Sequence, residues 1–141
     1  MIIEKDLYEQ LLQAFPPVPP ENGCILGAKG GTVCAFVYDS GNTITDRAVY
    51  YPDVSRLNRI IDRWTAEGIR FAGLCHSHPP DQFSLSGSDV SYIRTIMSCM
   101  PDSIEELYFP LMFPGQALLS FTARRHGEGV EILSDHIIIK P

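Results

Sequence analysis

Apolar residues fall at helical spacing in three stretches and run strand-like in several others. Residues 4–14 put Leu7, Leu11 and Leu12 on one stripe and Glu4, Glu9 and Gln13 off it, which predicts an amphipathic helix. Pro16-Pro17-Val18-Pro19-Pro20 follows, and proline's fixed φ and missing donor make it a rigid connector. The runs Cys24–Ala28 and Thr32–Tyr38 flank Lys29-Gly30-Gly31 and predict a strand–turn–strand unit. A third strand is expected over Thr43–Tyr51, after Ser40-Gly41-Asn42. Pro52-Asp53 opens a second helix with the stripe Val54, Leu57, Ile60, Ile61 and Trp64, and Gly68 suits its C-terminal cap. Ile69–Cys75 is almost wholly apolar, the mark of a strand buried on both faces. A third helix after Ser86 turns Val90, Ile93, Ile96, Met97 and Met100 inward and stops at Pro101-Asp102-Ser103. Glu106–Phe113, Ala117–Ala123 and Val130–Lys140 read as later strands, broken by Pro114-Gly115 and by the turn from His126 to Gly129. The pattern predicts an α/β fold: a mixed sheet flanked by helices, in a single domain over residues 1–141.

Composition narrows the class. A chain of 141 residues with 45% hydrophobic and 20% charged side chains can build a sizeable core. A net charge of −6 and a pI near 5.1 argue against a nucleic-acid backbone as partner. No apolar run approaches the roughly 20 residues of a membrane span, and the start Met1-Ile2-Ile3-Glu4-Lys5-Asp6 lacks the pattern of a signal peptide. A cytoplasmic location is expected. Cys24, Cys34, Cys75 and Cys99 form no C-x-x-C pair, so they are expected as buried, reduced thiols. A Cys24–Cys34 bridge across adjacent strands is possible but not needed.

The chemistry concentrates in fourteen residues. His76-Ser77-His78 is followed, seven residues later, by Ser86-Gly87-Ser88-Asp89. Positions i and i+2 of a strand share a face, so both imidazoles can aim at one point. Positions three apart on a helix also share a face, which sets Ser86 and Asp89 together on a first turn. The loop 79–85 is long enough to fold that turn back over the strand end. Asp89 then completes a set of two imidazoles and one carboxylate. Such a set leaves a fourth tetrahedral position open, the layout of a catalytic zinc site and not of a closed structural one. Each half has an ordinary reading on its own: His-x-His as a surface pair, S-x-x-D as a helix cap. His126 and His136 have no partner at a useful spacing, and Asp81 reads as a surface charge of the loop.

The combination resembles the JAMM, or MPN-plus, metalloprotease motif H-[S/T]-H-P-x(6)-S-x-x-D at every defined position. That family also carries a glutamate before a glycine-rich strand. Glu21-Asn22-Gly23-Cys24-Ile25-Leu26-Gly27 is similar to that segment, with Cys24 where a glycine is usual. The resemblance spans about Pro20 to Met100. It implies the MPN fold, related to cytidine deaminases, although the deaminase H-x-E and P-C-x-x-C signature is missing. It implies Zn²⁺ held by His76, His78 and Asp89, with Glu21 as general base and Ser86 as the hydrogen-bond donor to the oxyanion. Zinc lowers the pKa of a bound water from 15.7 to about 7. The implied reaction is hydrolysis of a peptide or isopeptide bond. The implied substrate is the tail of a ubiquitin-like or small sulfur-carrier protein, or a peptide; such a tail can add as a strand to a sheet edge. Ser77, between the ligands, is expected to face away and hold a neighbouring backbone group. Two other readings remain at this level: a non-catalytic MPN-type binding module, and a RadC-like relative that shares the His-x-His and S-x-x-D spacing.

Overall fold

Among residues 1–18, 20–41 and 52–141, which the computed structural model describes, nine strands form one mixed sheet and three helices pack on it. The strand β1 (Ile2–Glu4) runs straight into α1 (Lys5–Ala14). The strands β2 (Gly23–Lys29) and β3 (Thr32–Asp39) form the expected hairpin. Gly30 and Gly31 both adopt positive φ, the turn geometry that matches strand twist. Then come α2 (Val54–Ala66), β4 (Arg70–Ser77) and α3 (Gly87–Cys99). The chain closes with β5 (Glu106–Tyr108), β6 (Leu111–Phe113), β7 (Ala117–His126), β8 (Gly129–Asp135) and β9 (Ile138–Lys140).

Strand β4 lies inside the sheet, antiparallel to β2 on one side and parallel to β5 and β6 on the other. Beyond β2 follow β3, β1 and β9; beyond β5 and β6 follow β7 and β8. Each sheet face carries its own core. Cys24, Leu26, Ala72 and Cys75 pack with Leu7 and Leu11 of α1. Ile25, Phe71 and Leu74 pack with Leu57, Ile60 and Trp64 of α2 and with Ile93 and Met97 of α3.

Strand alternation slips within β4. Leu26 pairs with Gly73, but Gly27 pairs with Phe71, so Ala72 is the extra residue of a bulge. Before the slip Phe71 faces α2 and α3; after it Leu74 does. His76 and His78 continue the parity of Leu74, and Cys75 and Ser77 take the opposite face. Gly73 makes this possible with φ 146°, and its Cα lies against the Tyr108 carbonyl, where a Cβ would collide.

Helix α3 is fastened at both ends. Ser86 caps the first turn: its Oγ accepts from Asp89 N at 3.0 Å, while Asp89 Oδ2 accepts from Ser86 N at 2.8 Å. At the far end Arg125 of β7 donates to the carbonyls of Met97 (3.1 Å), Met100 (2.9 Å), Pro101 (3.2 Å) and Ile104 (2.9 Å). A planar five-donor guanidinium suits this task of collecting several carbonyls left free at a helix end.

The strand expected over Thr43–Tyr51 lies outside the described residues. The structure departs from the sequence expectations in four places. Val54 is 61% exposed, because it opens α2 before that helix reaches the sheet. The segment Glu106–Phe113 is two short strands, since Phe109 N turns to Phe121 O and Pro110 has no donor. The segment Val130–Lys140 is also two strands: β8 pairs β7, whereas β9 crosses to pair β1 at the other edge. Of the cysteines, Cys24 and Cys75 are buried, Cys34 is half-buried and Cys99 is exposed; all four are free thiols. Among the described residues, no helix is long and apolar enough to cross a membrane.

Gly73→Ala is expected to cost about 3 kcal/mol or more, through the carbonyl clash and the loss of the positive-φ conformation. Denaturant unfolding would register this as a lower midpoint; an unchanged midpoint would refute the role given to the bulge.

Candidate metal centre

His76 is the penultimate residue of β4 and His78 lies just past the strand's end, two residues on, so both imidazoles leave the sheet on the α3 side. Their Nε2 atoms stand 3.0 Å apart. Asp89, on the first turn of α3, meets them with both oxygens: Oδ1 is 3.2 Å from His76 Nε2, and Oδ2 is 3.1 Å from His78 Nε2. Four donor atoms of three residues, the two Nε2 atoms and the two carboxylate oxygens, are thus linked by contacts of 3.0–3.2 Å. Ligands bound at 2.0–2.1 Å around a tetrahedral zinc stand about 3.3 Å from one another, close to this spacing. Glu21 reaches the same place from the segment before β2, with Oε1 3.9 Å from His78 Nε2. One ligand atom each from Glu21, His76 and His78 lie within 4.8 Å of one another, a spacing compatible with a metal ion.

The proton inventory points the same way. His78 Nδ1 is 3.1 Å from the Gln82 carbonyl, which can only accept, so Nδ1 carries the proton. A neutral His78 then turns the bare Nε2 lone pair on the Asp89 carboxylate. Either a second proton or a cation relieves that contact. Burial pulls the His78 pKa down, but the Asp89 hydrogen bond, the Gln82 carbonyl and the charges of Asp89 and Glu21 outweigh it, and the net shift is upward. Burial pushes Asp89 up, yet the hydrogen bonds from His76 and His78 hold its carboxyl well below the usual range. By its geometry and its residue types, this set of two imidazoles and a carboxylate is compatible with a divalent cation that takes nitrogen and oxygen ligands.

Ser77 fixes the glutamate's segment from the opposite face. Its backbone N donates to Asn22 O at 2.8 Å, and its Oγ accepts from Asn22 N at 2.9 Å. Asn22 precedes Gly23, which pairs with His76. Glu21 is thus carried to the histidines by a buried two-bond clamp. Behind it, Cys75 sits in the α1-side core, paired in register with Cys24, as its position next to His76 on the strand requires. Burial raises the Cys24 thiol's pKa well above its ordinary value.

The fold brings together four of the five residues singled out by the motif: Glu21, His76, His78 and Asp89. Ser86 adjoins them as the cap of α3. The cap uses an oxygen lone pair, so its hydroxyl proton stays available as a donor. Asp81, His126 and His136 are exposed and take no part in the cluster. Sequence reasoning missed Gln82 and Asn22, because both act through backbone groups that carry no residue signature.

No family model matches the chain, and neither does any curated protein. Its fold is similar to two proteins solved in solution. One is from Desulfitobacterium hafniense, at a TM-score of 0.61 and 20% identity over 99% of this chain and 93% of that one. The other is from Salinibacter ruber, at a TM-score of 0.59 and 18% identity over 99% of this chain and 92% of that one.

Ser77→Ala leaves the buried Asn22 N–H without its partner and is expected to cost about 1–3 kcal/mol. Hydrogen exchange at the Asn22 amide should accelerate with the fall in stability. A variant with wild-type stability and an equally protected Asn22 would remove Ser77 from the support of Glu21.

Proposed function

We propose that this chain is a zinc-dependent amide hydrolase of the JAMM, or MPN-plus, kind, with the MPN fold. The observation that carries the reading is the meeting of His76 Nε2, His78 Nε2 and the Asp89 carboxylate, with a second carboxylate, Glu21, held just outside contact distance. The three close groups would hold the ion, and a bound zinc would supply Lewis-acid polarisation of a carbonyl and of a water. Glu21 would take the proton from the attacking water and deliver it to the leaving amine. Its distance of 3.9 Å from His78 suits a base beside the ion better than a fourth ligand. Ser86 Oγ–H would donate to the developing oxyanion, a contribution typically worth about 10²–10³ in turnover. The His78 Nδ1 bond to Gln82 keeps that ring from turning away from the cluster.

By the same reading the substrate is a peptide or isopeptide bond at the tail of a ubiquitin-like or small sulfur-carrier protein. Free thiols suit work in a reducing cytoplasm. The geometry favours catalysis over a binding-only module, since a docking surface has no use for two imidazoles and two carboxylates aimed at one point.

Elemental analysis of the purified protein is expected to find about one zinc per chain, lost in both His76→Ala and Asp89→Ala. A wild type that takes up no divalent metal on reconstitution would end the proposal. Glu21→Ala is expected to keep the metal while hydrolysis of amide substrates ending in Gly-Gly falls by about 10²–10⁴. Undiminished turnover in that variant would transfer the proton to some other group.

A further inference from the structure

The proline connector that follows α1 runs past the candidate metal centre and walls a pocket onto it. Pro17 and Val18 of the connector line it together with Pro80, Phe113, Pro114 and Gln116, and His78 itself is part of the lining. The space is about 200 Å³, smaller than the roughly 300–1,000 Å³ of sites for drug-sized ligands and suited to one side chain. Apart from the imidazole, no titratable side chain occurs among the described lining residues. Phe83, 64% exposed on the loop before α3, packs against Phe113 of the lining with ring centroids 5.4 Å apart and the rings tilted by 38°. Gly115 N, in the β6–β7 turn beside Pro114 and Gln116, donates to Leu12 O in the last turn of α1, which ties that turn to the helix from which the connector leaves.

We propose that this pocket binds a large apolar side chain, such as leucine or phenylalanine, on the amine side of the scissile bond. The inference rests on the hydrolase reading above, and its logic is subtraction. A tail that ends in glycines offers no side chain on the acyl side. A pocket that shares His78 with the candidate metal centre therefore takes the first residue of the leaving group. The substrate class is then a glycine tail continued by an α-linked apolar residue, and not an isopeptide on lysine, whose narrow, unbranched methylene chain leaves such a pocket part-empty.

The zinc-loaded full chain would be assayed on matched peptides ending Gly-Gly-Xaa, with Xaa as Gly, Glu, Leu or Phe, beside a Gly-Gly isopeptide on the lysine side chain. Leu and Phe are expected to exceed Gly in kcat/KM by about tenfold or more. Val18→Asp, which puts a charge in the pocket, and Gln116→Trp, which fills it, are each expected to bring that ratio close to one. Equal rates in the wild type, a faster isopeptide, or a preference that survives both variants would overturn the proposal.

A second readout does not need turnover. Titration of leucinamide, with glycinamide as control, is expected to move the Val18 and Gln116 amide resonances for leucinamide alone. Those shifts without any hydrolysis would sink the hydrolase reading and leave the apolar pocket standing. Hydrolysis without those shifts would sink the pocket and leave the hydrolase.

Discussion

The bulge at Ala72-Gly73 sets the address of the histidines. A strand carries side chains to alternate faces, so one extra residue moves everything downstream to the other side. Without it His76 and His78 would enter the α1-side core, and Cys75 and Ser77 would face α3. With it both rings meet the helix that bears Asp89, and the small Cys75 fills the opposite core. The cost is borne by Gly73, the residue type that tolerates both its φ and the approach of Tyr108.

Position alone would leave the clustered side chains free to rotate. Three separate contacts limit that freedom. Ser77 holds the segment of Glu21 by two bonds to Asn22, the Gln82 carbonyl orients His78, and the capping box aims Asp89. These contacts are short in sequence or made through backbone, so the arrangement is set by the fold and not by any ligand. A site pre-ordered in this way loses little side-chain entropy when it captures an ion or a substrate group.

Much of this was legible in the residues. The glycine pair at 30–31 marked the hairpin, Asp53 and Ser86 marked helix starts, and the apolar run to Cys75 marked the inner strand. The spacing of His76, His78 and Asp89 foretold their meeting because strand and helix periods are local rules. What stayed hidden was set by distant partners. The strands β1 and β9 are three residues each, too short for a period, and exist because they pair with each other and β1 also pairs with β3. The break at Pro110 and the departure of β9 likewise depend on where neighbouring strands end. Val18 and Gln116 lie far apart in the chain, and no local pattern announces that they share a pocket wall.

Asp89 Oδ2 accepts from Ser86 N and also faces His78. One carboxylate oxygen therefore serves the helix and the imidazole cluster at once, which makes them thermodynamically linked. A proton or cation taken up by the cluster would alter the free energy of the first turn of α3, and by reciprocity the integrity of α3 would alter affinity at the cluster. The far end of that helix is gripped by Arg125, itself on β7. A change at the β7 end of the sheet thus has a mechanical route, thirteen helical residues long, to the carboxylate among the histidines.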